Sequence, residues 1–465
     1  MKFILAVVVF ALMLGSCATK NQNYANIGGQ YEGDANGKEI HLCKVEHGQT
    51  YKVAVTKIGD KGYFGFRYAV DKPGMYVINV VQVGALRKVV QDHNLKRFYL
   101  DKGIEVELEM NDGSYQLINT NCDKNKLLSE WNNQVDTVYT YSHGFYYNTL
   151  DYTHFFPLLP GFVSDMEKFK SKIKTQDASF NELMELLVDT EMAYSAVQLL
   201  YTPRVKHPER ADYPEYYDLI LDSKLPNSER LLELPFARAY LKKYAMYSVL
   251  SQPEKPSATE IITASISTID NDLLKGYFAF DNVNSYRSYD SAYLTFRQQV
   301  EPYLQNDYLK QGFKDYELTI RKFKAGATAF DFSGKDMNGK EYKLSDFKGN
   351  LVYVDVWATW CGPCKAQIPA LKELEKKFHG QSITFLSISV DTQQNKQKWI
   401  DYVTNKRLKG VQLIADNAFE SDVTKVYGIN AIPRFMLIDK EGKIISADAP
   451  RPTDNTIEKL LKSHL

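Results

Sequence analysis

An apolar run from Leu351 to Trp357, broken only by Asp355, leads within four residues into Cys361-Gly362-Pro363-Cys364. The run has the length and composition of a buried strand. A Cys-x-x-Cys pair that leaves such a strand and opens a helix is tightly constrained. At a helix start the first N–H groups have no intrahelical acceptor and the macrodipole is positive, so a sulfur placed there is favoured as the thiolate. A thiolate, not a thiol, attacks a disulfide. Cys364 lies one turn on, close enough to displace whatever Cys361 captures. Pro363 in the first turn forfeits no helical hydrogen bond. The chemistry expected is disulfide exchange, with Cys361 attacking, Cys364 resolving, and no cofactor beyond the redox-active dithiol itself.

Asp355 is the other reactive group in this stretch. A carboxyl inside an apolar strand should have a raised pKa and can relay the proton of the resolving thiol; the alternative is a carboxyl satisfied by its strand neighbours. Trp357 and Trp360 either pack against strand and helix or, for Trp360, offer apolar surface beside the nucleophile.

Around the motif, strands alternate with helices. Phe330 and Phe332 alternate ahead of Asn338-Gly339, a two-residue hairpin pattern. Ile368, Leu371, Leu374 and Phe378 mark a helix, and Ile383 to Val390 a second buried strand. A helix is expected near 395–405, a strand at 411–414, a helix at 418–427, a hairpin of Phe435–Ile438 with Ile444-Ile445, and a helix from Asp454. This order makes an α/β sandwich.

WCGPCK preceded by VDVWA resembles thioredoxin, and residues 324–465 are similar to the TlpA/ResA-like thiol:disulfide oxidoreductases. The resemblance covers about a third of the chain and rests on several separated features. Pro369 stands eight residues after Cys361, where the family kinks the helix. Ile432-Pro433 precedes an apolar strand, where the family keeps a cis-proline opposite the redox pair; the resemblance implies that Ile432 and Pro433 dock substrate, with Trp360 bordering an exposed Cys361. Asp355 stands where thioredoxins bury an acid. Two departures matter. Ser387 falls where thioredoxin has a lysine partner for that acid, and Gln367 falls where the TlpA/ResA branch commonly has a glutamate, leaving Asp355 as the evident acid. Arg434, after the proline, either favours the thiolate or an acidic substrate, or points to solvent. The resemblance also implies protein thiol or disulfide substrates, apocytochrome c among them, and recharging by a membrane electron donor of the DsbD/CcdA kind.

Upstream the pattern differs. Lys2 followed by the apolar run Phe3–Leu14 has the form of an export signal, too short to span a bilayer. Leu14-Gly15-Ser16-Cys17 resembles the bacterial lipobox, which implies lipidation at Cys17 and attachment at the periplasmic face of the envelope, at the outer membrane since Ala18 rather than Asp follows. With residues 1–17 as signal and 18–26 as tether, 27–120 read as a β-rich sandwich or barrel: Tyr51, Val53 and Val55 alternate, as do Phe64, Phe66 and Tyr68, and Ile104, Val106, Leu108 and Met110. Residues 121–323 read as helical, with 20 of the 32 tyrosines. Ser179-Phe180-Asn181-Glu182 has the capping-box form, and Leu231, Leu234, Arg238, Leu241 and Ala245 suggest a helix opening near Asn227-Ser228. Cys43 and Cys122 form either a structural disulfide or two buried thiols.

Other functions fare worse. Lys+Arg and Asp+Glu both number 57, which gives no footprint for nucleic acid. A zinc site needs two more ligands than the motif offers, and neither Cys43 nor Cys122 has a paired neighbour. Peroxide reduction is a nearer rival, since residues 330–351 resemble the peroxiredoxin lead-in; that chemistry usually has Thr three residues before the reactive Cys, where Ala358 stands. A non-enzymatic tethered adaptor is the remaining alternative.

Overall fold

The computed structural model describes residues 23–83, 96–143, 150–203, 205–223, 225–257 and 260–465. The export signal and Cys17 lie outside the described residues. Two compact units make up the chain, one ending at Phe278 and the other beginning at Ala279.

The first unit opens with eight strands: β1 (Tyr24–Tyr31), β2 (Lys38–Glu46), β3 (Gln49–Lys57), β4 (Tyr63–Ala69), β5 (Gly74–Gln82), β6 (Lys96–Leu100), β7 (Glu105–Met110) and β8 (Tyr115–Thr120). They form two four-stranded sheets, ordered β4-β1-β7-β8 and β3-β2-β5-β6. Ile27, Ile40, Leu42, Ile78, Val106 and Leu108 fill the shared core. The period-2 patterns on β4 and β7 turn inward as expected, but that on β3 does not. There Ala54 meets the core while Val53 and Val55 are exposed. Alternation identifies a face without saying which face is buried, and β3 is an edge strand. Gly29 is required where β1 runs parallel to β7, because a Cβ would stand 1.8 Å from the Leu108 carbonyl oxygen.

Helices follow, including α1 (Asp123–Ser142), α2 (Ala178–Leu199) and α3 (Ala237–Leu250). Two starts differ from expectation. Asp177, not Ser179, caps α2, accepting from the Phe180 N–H at 3.0 Å. Leu231 lies in a 3-10 turn at Glu229–Glu233, and α3 begins only after Pro235. Of the two readings left open for Cys43 and Cys122, the bridge is not formed. Cys43 and Cys122 are both buried and unconnected to each other. Cys43 sits within β2, whereas Cys122 follows the last strand of the other sheet and precedes α1.

Strand and helix are joined by a buried ion pair. Arg97 of β6 meets the Glu191 carboxylate of α2 through Nη1 at 2.9 Å and Nη2 at 3.0 Å, with 2% and 1% of the two side chains exposed. Trp131 Nε1 (2.8 Å) and the Tyr139 hydroxyl donate to Glu191, and Asn132 Oδ1 accepts from Arg97 Nε at 3.0 Å.

The second unit contains the helices Ser291–Val300 and α4 (Asp307–Arg321), then seven strands: β9 (Ser333–Lys335), β10 (Glu341–Lys343), β11 (Leu351–Trp357), β12 (Ile383–Ser389), β13 (Val411–Ile414), β14 (Arg434–Ile438) and β15 (Ile444–Ser446). Their order is β10-β9-β13-β12-β11-β14-β15, with β11, β12 and β13 parallel. The helices α5 (Gly362–Lys377), α6 (Lys396–Lys406) and α7 (Ile457–His464), with a short helix at Asp422–Val426, complete it. One core gathers Val352, Val354, Val356, Trp399 and Met436; the other gathers Tyr353, Leu371, Phe435 and Leu461. This is the α/β sandwich expected. Its hairpin loop is wider than two residues. The Gly339 N–H donates to Asp336 O, and the Asp336 side chain accepts from the N–H groups of Asn338 and Lys340.

Breaking a buried ion pair from one side leaves a charge without its partner. Arg97→Leu should lower the unfolding free energy of the first unit by about 3–5 kcal/mol, measured by urea denaturation.

Candidate active site

The strand β11 is buried along its whole length and delivers its last residue, Trp357, to the loop Ala358–Trp360. Cys361 is the N-cap of α5 in extended conformation, and its sulfur accepts the Cys364 N–H at 3.1 Å. This is one of the four N–H groups that a helix start leaves unfilled. Cys361 and Cys364 are disulfide-bonded, their Cα atoms 5.3 Å apart. Pro363 lies in the first turn and Pro369 inside the helix. The exposed Cys361 surface implied by resemblance is smaller than expected: Cys361 keeps 4% exposure, being bonded to the buried Cys364. Trp360 is 54% exposed, with its ring 6.1 Å from Phe419.

The Ile432-Pro433 peptide bond is cis. The antiparallel pairing of Val356 with Arg434 brings this end of β14 beside the end of β11 that leads to the cysteines. Arg434 does not point to solvent. It is buried, and its Nη1 lies 3.0 Å from Asp448 Oδ1.

Asp355 sits opposite Ser387 in β12 and is almost fully buried. Burial pushes its carboxyl up to about 7; a hydrogen bond with Ser387 opposes this, and the charge of Glu375 adds to it. Glu375 of α5 is itself raised to about 7 by burial, with Lys372 and Lys409 pulling the other way. Gln367 faces the C-terminal segment, its Oε1 accepting from Thr453 Oγ1 at 3.0 Å and Thr453 N at 3.3 Å.

Sequence reasoning missed Glu375 and Asp391. Asp391 is fully buried, and its carboxylate accepts from Thr359 N and Thr359 Oγ1, both at 2.8 Å, and from Ser389 Oγ at 2.7 Å. It thereby fixes the loop two residues before Cys361. The available signal was an acid directly abutting the apolar run 383–390. Nothing marked Glu375, one of two acids among the lysines of the second half of α5.

Chemically, the arrangement offers a sulfur held by a helix start, a second sulfur bonded to it, and a buried carboxyl able to hold a proton near neutrality.

A family model described as AhpC/TSA family matches residues 325–447. Over 150 residues the chain is 30% identical to the thiol-disulfide oxidoreductase ResA of Bacillus thuringiensis subsp. konkukian, covering 32% of this chain and 84% of that protein. Identity to the Bacillus cereus ResA is 31% over the same length, with the same 32% and 84% covered. Among solved structures, the chain is similar to the thioredoxin domain of a thiol-disulfide oxidoreductase from Bacteroides vulgatus. That match has 29% identity and a TM-score of 0.27, covering 30% of this chain and 97% of that one.

Two measurements probe the geometry. Asp355 and Glu375 have raised pKa values in the fold, so the stability they contribute is complete below about pH 4 and is lost as pH climbs through about 7. Denaturant midpoints of the oxidised protein should fall over that window, and Asp355→Asn should flatten the fall. Separately, Thr359→Val removes one donor to Asp391 while keeping the side chain's shape; the cost should be about 1.5–3 kcal/mol, with Thr359→Ser close to wild type in the same denaturation assay.

Proposed function

Because the chain belongs, through its C-terminal third, to the ResA-type thiol-disulfide oxidoreductases, we propose that Cys361 and Cys364 reduce disulfides in other proteins by dithiol exchange. The Cys361 thiolate attacks one substrate sulfur and releases the other as a thiolate, which takes up a proton. Cys364 then gives its proton to Asp355 and attacks Cys361 in the mixed disulfide. The second substrate sulfur is expelled as a thiolate and takes up a proton in its turn, so the substrate leaves with two thiols, and the module is left with the Cys361–Cys364 bond and two electrons fewer. The observation that carries this reading is the Cys361 sulfur at the head of α5, accepting a backbone N–H that has no intrahelical acceptor. Ile432 and Pro433 would hold the incoming chain, with Trp360 as apolar surface beside it.

Reduction rather than oxidation is the proposed direction. The Gly362-Pro363 dipeptide is that of thioredoxin, which argues for a potential nearer about −270 mV than the about −120 mV of a strong oxidant. The proposed setting is the periplasmic face of the envelope at the outer membrane, tethered by lipid on Cys17. Misoxidised secreted proteins or apocytochrome c would be substrates, and a membrane donor of the DsbD/CcdA kind would restore the dithiol. A second reading, peroxide reduction, draws on the AhpC/TSA match. Ala358 stands against it, offering no hydroxyl where that chemistry commonly has threonine.

Insulin reduction should be abolished by Cys361→Ser, whereas Cys364→Ser should accumulate mixed disulfides on Cys361 that identify the natural substrates. Equilibration with glutathione buffers should return a potential near about −270 mV; a value above about −180 mV would refute the reductase assignment. Hydrogen peroxide consumption outpacing insulin reduction would favour the second reading.

A further inference from the structure

Arg434 directly follows Pro433, and its burial is unusual for so strong a cation. Only 3% of the residue is exposed, and Nε finds no acceptor among the described residues. Among the described residues its charge is paired with Asp448, at 3.0 Å, a carboxylate that also faces Arg287 Nη1 at 3.9 Å. Tyr316 of α4 stands in the field of all three charges, and its hydroxyl donates to Tyr286 O at 2.8 Å, fastening α4 to the segment that carries Arg287. Phe323, just beyond α4, stacks on Tyr427 with centroids 5.1 Å apart and enters the core that holds Val356 and Met436. Thus the residue next to Pro433 is held by Asp448 from the chain after β15, and Arg287 of the segment 286–323 reaches Arg434 only through that carboxylate, its own charge opposing that of Arg434.

Two guanidinium groups share one carboxylate in this cluster. Loss of Asp448 would leave the buried Arg434 without this counter-ion, and loss of Arg287 would free the carboxylate that holds it, so in either case the backbone bearing Arg434 must adjust. That backbone is the loop Ile432-Pro433-Arg434.

We propose that the helical segment 286–323 is part of the substrate-docking apparatus, and that Arg287, Asp448 and Arg434 are positioning residues that fix the Ile432-Pro433 backbone for an extended polypeptide disulfide. The inference rests on the reading that Ile432 and Pro433 dock substrate. It assigns the three residues to docking and not to sulfur chemistry, since none of them contacts Cys361 or Cys364 through a described hydrogen bond or ion pair. Small disulfides, which need no added strand along this backbone, should be indifferent to the cluster.

The test compares insulin with hydroxyethyl disulfide as substrates of the full chain carrying Arg287→Ala, Arg287→Lys or Asp448→Asn. For insulin, Arg287→Ala and Asp448→Asn should raise KM about tenfold with kcat little changed, and Arg287→Lys should recover most of the loss. Turnover of hydroxyethyl disulfide and the glutathione-measured potential should stay at wild-type values. Arg287 is partly exposed, so its variants keep the test meaningful if Asp448→Asn destabilises the fold. An unchanged insulin KM in Arg287→Ala would overturn the proposal, as would parallel losses on both substrates. Wild-type protein that turns over hydroxyethyl disulfide but not insulin would instead sink the docking reading, and this inference with it.

Discussion

The Cys364 N–H has nowhere to go inside its own helix, and it points at the Cys361 sulfur. Much of the second unit serves to hold that relation. The strand β11, buried on both faces, sets where the chain turns. Asp391 then ties down Thr359 through both backbone and side chain, leaving the approach to Cys361 little freedom. A helix dipole acts only over its first turn, so displacement of this loop would weaken the hold on the sulfur. The carboxylate at the end of β12 therefore matters to the chemistry without touching either cysteine.

The proposed proton transfer would depend on a different property, the dryness around Asp355. Asp355 owes its raised pKa to desolvation, and Ser387 supplies a hydrogen bond where a lysine would have supplied charge. A neutral partner lowers a carboxyl's pKa less than a cation does, so the acid stays near neutrality. Gln367 cannot titrate and is engaged with Thr453. Glu375, the second raised carboxyl, lies on the same helix as the redox pair and adds its charge to the surroundings of Asp355.

The active motif, the α/β order and the strand bearing Asp355 were legible in the sequence because each is local: a spacing, an apolar run, a turn residue. Ser387 was placed by the thioredoxin resemblance, and in the structure it stands opposite Asp355. What escaped depends on distant residues meeting. The grip of Asp448 on Arg434 is one case, and the burial of Glu375 beside Lys372 and Lys409 is another. On β3 the alternation was read correctly, but its buried side was decided by the facing sheet. The cap of α2 moved by two residues because Asp177 was available as an equally good acceptor. For Cys43 and Cys122 the sequence left a bridge and two buried thiols equally open, because only the fold places them at different sheets.

Arg97 and Glu191 stand 94 positions apart along the chain. Their meeting closes a long loop, whose entropy cost must be met before the contact rewards it. Until then each is a charge bound for a dry interior with nothing to neutralise it. Partly assembled forms of the first unit are thereby penalised. The β-sheets and the helix α2 are driven to complete one another in a single cooperative step, and neither makes a comfortable halfway house.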